Sequence, residues 1–268
     1  MNMLNRKLLA IAGLAFIMFT LLALIGLTGC SNTTTNSESN ETTQRIAQLE
    51  AENERLNSVY DIQNLMSKYQ YILSGSGGSL TILDLFAKKT PGVSAQIGDW
   101  GVYYGIGGVK KCFNIDPNKP RAKMPGMMSE HYLCNPVIEI AGDGKTAAGR
   151  WMSPGFETMI DPVTGKAHTN WNYNQYACDF VKEDGVWKIW HLSCMLTFSG
   201  DYTKGWVEGG DLPKELKATI SKNIPTPDNP YTYPRYAPYD PKGKFEFAPP
   251  PSPYETYNTE VDWIDPNK

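Results

Sequence analysis

The sequence predicts an α+β fold, helices first and an antiparallel meander after, and three observations carry that reading. Between residues 45 and about 73 apolar side chains recur at threes, fours and sevens, the spacing of one helix face. After Pro91-Gly92 the period changes to that of short strands. Asp143-Gly144 and Asp184-Gly185 separate consecutive strand patterns, and Asp-Gly between such runs is a strong hairpin signal. This order puts helices on one face of a curved sheet and leaves room for a pocket between the layers.

The N-terminus reads as an address. Residues 1–7 carry Arg6 and Lys7, and residues 8–29 are apolar without a charge, the pattern of a signal peptide. The segment ends in Leu27-Thr28-Gly29-Cys30, which resembles the lipobox of bacterial lipoproteins, where the Cys thiol takes a lipid (palmitate among its acyl chains). An uncleaved spanning anchor is the rival reading. Both place the rest of the chain on the extracytoplasmic face of the cell membrane. Residues 31–43 are polar and of low complexity, a solvated tether. Removing residues 1–29 takes away two basic residues and no acid, so the net charge moves from −3 to −5. An acidic protein needs its lipid on Cys30 to stay on an anionic membrane, and no nucleic-acid partner is expected.

The first helix carries Ile46, Leu49, Leu56, Tyr60, Leu65 and Tyr69. Its first half could be a short coiled coil with Asn53 at a core position, a stalk that would support a homo-oligomer. The run SGSGG at 74–78 stops it, and LTILDLFA at 80–87 restarts a short helix. Residues 93–97 and 101–104 read as strands and 109–113 as a third helix; four strands follow at about 130–140, 146–153, 173–182 and 186–197. Residues 224–268 hold 11 of the 19 prolines and six tyrosines, an extended tail with apolar area to pack on the domain or on a second subunit. The organisation expected is a signal peptide at 1–29, tether and stalk at 30–57, one domain at 58–207 and a tail at 208–268.

Cys112, Cys134, Cys178 and Cys194 could bridge in an oxidising compartment, but three of them sit inside apolar strand patterns, which favours buried thiols. With no CxxC and only His131, His168 and His191, no spacing suggests a metal site. GIGG at 105–108 lacks the setting of a dinucleotide site, so no cofactor is expected.

The runs DIQNLMSKYQY, LDLFA, IGDWGVYYGIGGVKKCF, EHYLCNPVIEIAGDGKTAAGRWMSPGFET and DFVKEDGVWKIWHL resemble the SnoaL-like group of the nuclear-transport-factor-2-like superfamily over roughly 58–207. The resemblance implies a cone-shaped fold: about three helices packed on a strongly curved antiparallel sheet, with a deep apolar pocket. It leaves open a cofactor-free lyase or isomerase acting on a hydrophobic ring-containing small molecule, a protein that only binds one, and an assembly protein whose stalk and tail mediate oligomers.

His131 stands where the dehydratases of this group place a His as general acid or base, a role suited to imidazole; a hydrogen-bonded strand-end His is the competing reading. Asp99, beside Trp100 in the GDWG turn, could orient His131 or serve as a base, or simply form the turn. Tyr69 and Tyr71 lie where related dehydratases put a carbonyl-polarising Tyr, and their spacing lets at most one face inward. Relatives carry an Asp just after these tyrosines, where this chain has Ser74 and Gly75, so an aspartate-based mechanism is not expected. Trp171, Tyr173 and Tyr176 offer aromatic lining or core. Arg150 could clamp a carboxylate or pair with Glu157. His191 could form a relay with His131 or be structural, and His168 is expected in an exposed loop.

Overall fold

A computed structural model describes residues 34–76, 80–114, 125–161, 163–208, 218, 221–222, 224–233, 239–242 and 249–258. The expected signal peptide and Cys30 lie outside them. The chain divides into two compact units, residues 1–51 and 52–268. In the first, the described residues are helical from Thr34 onward, so helix replaces the expected tether. No Pro or Gly interrupts that polar stretch. No described helix is long and apolar enough to cross a membrane.

The elements are α1 (Thr34–Ser76), a 3-10 helix (Leu80–Leu85), β1 (Ser94–Ile97), β2 (Val102–Tyr104), α2 (Gly105–Cys112), β3 (Met128–His131), β4 (Cys134–Ile140), β5 (Thr146–Ile160), β6 (Ala167–Glu183), β7 (Val186–Asp201) and a single turn, α3 (Gly205–Glu208). They form one sheet in the order β2-β1-β7-β6-β5-β3, with β4 also on β5. The sheet is mixed where an antiparallel one was expected, because β1 runs parallel to β7. Register shifts at Tyr173/Asn174 and Asp179/Phe180 interrupt the β6–β7 ladder, and bulges of this kind bend long strands.

The core lies between the sheet's inner face and the helices. Ile62, Met66 and Tyr69 of α1 are fully buried, as are Ile82 and Phe86. They meet Tyr176, Phe180 and Ile189 from the sheet. The buried stripe is rotated from the expected one: Leu65 and Tyr69 face the core, while Leu56 and Tyr60 are exposed. Arg55 fixes α1 to β4 by donating to the Ile140 carbonyl (2.8 Å) and the Glu139 carboxylate (2.7 Å). All four described cysteines are free thiols, and Cys112, Cys178 and Cys194 are buried.

Both Asp-Gly hairpins form. Asp184 and Gly185 have φ of 50° and 77°, the pair of left-handed residues a two-residue hairpin requires. β5 and β6 pair out to Ile160 and Ala167, with the Asp161 N–H donating to the Lys166 carbonyl (2.9 Å), so β5 runs well past Ser153 and β6 starts at Ala167. His168 is therefore a half-buried strand residue, where an exposed loop was expected. Pro154 does not stop β5, because its missing N–H falls at the break between β3 and β4; its carbonyl still accepts from Tyr132 N–H (3.0 Å).

Beyond the sheet the chain returns as a strap. Asn229 pairs with Val102 of β2, the Tyr103 hydroxyl donates to the Pro225 carbonyl (2.6 Å), and Asp228 accepts the Tyr104 N–H (2.8 Å). Gly101, at φ 111°, allows this approach: a Cβ there would lie 2.5 Å from Pro227. Residues 249–258 pack elsewhere, where the Gly142 and Asp143 N–H groups donate to the Tyr254 and Glu255 carbonyls.

Candidate active site

A cavity of about 560 Å³ opens between the inner face of the sheet, the end of α2, the Gly98–Trp100 turn and the strap, a volume ordinary for small-molecule sites. Strand alternation decides what enters it. On β6 the residues Asn170, Asn172, Asn174 and Tyr176 point inward; on β5 Glu157 and Met159 do; on β3 Ser129 and His131 do. The register pairs His131 with Gly155 across β3 and β5. A Cβ at Gly155 would lie 2.4 Å from His131 Nδ1, so the glycine makes the space the imidazole fills.

His131 is nearly buried and bonded at both ring nitrogens. Nε2 lies 3.1 Å from Glu157 Oε1, and Nδ1 lies 3.2 Å from Asn174 Nδ2. A carboxylate only accepts and an amide NH₂ only donates. With these partners Nε2 carries the proton and Nδ1 holds the lone pair. Burial pushes the Glu157 carboxyl up, but hydrogen bonds and charge from His131, with further bonds from Asn172 and Ser129, outweigh it and hold Glu157 below the usual carboxylate range. The pair can therefore present a directed base whose conjugate acid has a counter-ion already in place.

Of the residues singled out in the sequence, His131, Asp99, Trp100 and Tyr176 line this one cavity. Tyr69 is fully buried behind it, edge-on to Tyr176 and Phe113 with ring centroids 6.0 Å from each. Burial first, with nearby thiols adding to it, pushes its hydroxyl well above the ordinary phenol range. Tyr71 is 82% exposed and does not line the cavity. Tyr173, Arg150 and His191 belong to the opposite face of the sheet, because each is an odd number of residues from an inward neighbour on its strand or is offset by a bulge. There Tyr173 stacks on Phe198 (5.3 Å), Arg150 donates to the Gly149 carbonyl (2.8 Å), and His191 Nδ1 meets Asp179 (3.0 Å). An Arg150–Glu157 pair and a His131–His191 relay are thus both excluded by the sheet's two-sidedness. Among the described residues, no group of three or more His, Cys, Asp or Glu converges as metal ligands.

Sequence reading passed over Glu157 as a partner for His131, the asparagines of β6, and the strap residues Pro225 to Pro227 that wall the cavity. The signal for the asparagines was present in Asn170-Trp171-Asn172-Tyr173-Asn174, a strict alternation that marks one polar face.

Residues 54–193 match the SnoaL-like domain family, and the chain belongs to it. Similar solved structures include a provisionally assigned scytalone dehydratase from Novosphingobium aromaticivorans DSM 12444, 20% identical with TM-score 0.46, covering 56% of this chain and 91% of that one. A hexachlorocyclohexane dehydrochlorinase, LinA-type3 from Novosphingobium barchaimii LL02, is 17% identical with TM-score 0.43, covering 56% and 93%. An NTF2-like protein with a cystatin-like fold from Novosphingobium aromaticivorans is 16% identical with TM-score 0.38, covering 71% and 99%. Likeness at this level concerns architecture alone. No curated protein matches the sequence.

Proposed function

We propose that this protein is a cofactor-free lyase or isomerase that moves a proton on a ring-containing small molecule, with His131 as acid and base. The single observation that carries the reading is the His131–Glu157 pair at the wall of the cavity, 3.1 Å apart. Substrate takes the place of the Asn174 amide at Nδ1 and presents a proton there. Nδ1 accepts it, Glu157 stabilises the imidazolium, and the same nitrogen returns the proton to the leaving group or to a neighbouring carbon. Asp99 and Tyr176, which line the cavity, orient the ring in this reading.

General acid–base catalysis contributes about 10²- to 10⁴-fold, so His131→Ala is expected to lower turnover of a steroid, bile-acid or aromatic polyketide substrate by that order. A variant that keeps wild-type turnover would remove His131 from the mechanism. A binding protein without chemistry is the second reading. It is favoured by the end of α1, where Gln70 Nε2 donates to Ser74 Oγ (3.1 Å) near the position at which relatives carry a carboxylate.

The protein is further proposed to act on the extracytoplasmic face of the membrane, held by lipid on Cys30 after removal of residues 1–29. Supporting this are the charge pattern of residues 1–7, the apolar run and the lipobox-like sequence. Labelled palmitate is expected in the wild-type protein and absent from Cys30→Ser; label retained by Cys30→Ser contradicts the anchor.

A further inference from the structure

Among the described residues before Ile62, the exposed large apolar side chains are Ile46, Leu49, Leu56 and Tyr60, all on α1 and each between 50% and 70% exposed. With Ile46 as position a of a heptad they occupy a, d, d and a, and Asn53, also exposed, fills the a position between them. The residues that tie this part of the helix down fall on its other side. Arg55, which bonds to β4, is at c, and the buried Ser58 and Ile62 are at f and c. A stripe limited to a and d is the seam of a coiled coil, narrower than the face a helix lays on a core.

The seam covers about two heptads, too few to hold an isolated helix pair together, because starting a helix costs more than a short run of backbone bonds returns. α1 avoids that cost. It is one helix from Thr34 to Ser76, and Ile62, Met66 and Tyr69 in its second half are fully buried, so folding of the core supplies the nucleus. Association then needs only the contacts of the seam itself.

Charge and polarity beside the seam select its occupant and direction. Arg45 takes a g position and Glu50 the following e position. In a parallel, in-register pair of identical helices, g of one chain lies against the next e of the other, so Arg45 meets the partner's Glu50 along both edges. Asn53 then meets the partner's Asn53, and carboxamides both donate and accept. An antiparallel pair that keeps the stripe together sets Asn53 against the partner's Leu49 and Glu50 against the partner's Glu50, an amide without a match and two like charges. We infer that residues 45–60 of α1 are the docking surface for a second copy of this chain, joined as a parallel, in-register, two-stranded coiled coil. The seam runs to Tyr60, past the end expected for the stalk at 57, and it is independent of the chemistry of the cavity.

Single cysteines in the full-length chain test this by cross-linking with a short bismaleimide, the wild type giving the background from native thiols. Ile46→Cys, Leu49→Cys, Asn53→Cys and Leu56→Cys are expected to yield covalent dimers, whereas Ala47→Cys and Ala51→Cys, at b and f, stay at background. All six positions are exposed, so these variants leave the core intact. Arg45→Glu is expected to lower the dimer yield of Leu49→Cys about threefold to tenfold, as replacing two exposed ion pairs by like charges allows, and Glu50→Arg added to it restores the yield. Equal yields at all six positions, no dimer from the seam positions, or cross-links to a different protein overturn the inference. So does an Arg45→Glu effect that is missing or is not restored by Glu50→Arg.

Discussion

A histidine is a directed base only when its two nitrogens are made unequal, and here the inequality comes from two side chains of opposite hydrogen-bonding character. Glu157 accepts at Nε2 and the Asn174 amide donates at Nδ1. Glu157 bears a measurable consequence of its own. Its carboxyl is pushed up by burial but held below its usual value of 4.5 by bonds from His131, Asn172 and Ser129. The folded protein therefore binds this proton less readily than the unfolded chain does. The stability contributed is complete above about pH 4.5 and is lost as pH falls through the lower, folded value. Urea midpoints measured from neutral to acid pH are expected to fall below that point in wild type and to fall less in Glu157→Gln. Parallel curves for the two proteins would show that the carboxylate is not held this way.

At the scale of elements, the site depends on how β3, β5 and β6 align. His131 stands opposite Gly155, and Glu157 stands opposite both Ser129 and Asn170. Gly155→Ala would put a Cβ 2.5 Å from the Glu130 carbonyl and 2.4 Å from the imidazole. It is expected to destabilise by about 1–3 kcal/mol, as overpacking does, and to displace His131 from Glu157. A midpoint equal to wild type would mean that β3 shifts without cost. Much of this layout was legible in the chain. Both Asp-Gly hairpins, the short helices around 80–87 and 109–113, the second of which begins earlier, at Gly105, and the two strands flanking the GDWG turn follow from local residue chemistry. Three features were not legible. Ser153-Pro154-Gly155 reads as a strand end, but the break between β3 and β4 accommodates the proline. The parallel pairing of β1 with β7 joins residues about a hundred positions apart. The assignment of Arg150, Tyr173 and His191 to the outer face rests on register, which one strand's residues do not contain. His131 and Asp99 could be placed near a cavity from sequence, whereas the partner Glu157 required the β3–β5 alignment.

For the molecule as a whole, the family match ends at residue 193, yet the cavity continues beyond it. Residues 224–227 form one wall, secured by bonds from Tyr103 and to Asp228. The shared domain thus supplies most of the sheet and His131, and the chain after it supplies part of the cavity's wall. Solvent-exchange kinetics test most directly whether His131 moves protons on a ring substrate within this cavity. Chromanone, an uncharged ring ketone, is incubated in D₂O with the wild type, His131→Ala and Glu157→Gln, and deuterium uptake beside the carbonyl is followed by proton NMR. Catalysed uptake is expected in the wild type, with a loss of about 10²-fold or more in His131→Ala and an intermediate rate in Glu157→Gln. Uptake by His131→Ala at the wild-type rate, or none above the solvent background in the wild type, would contradict it.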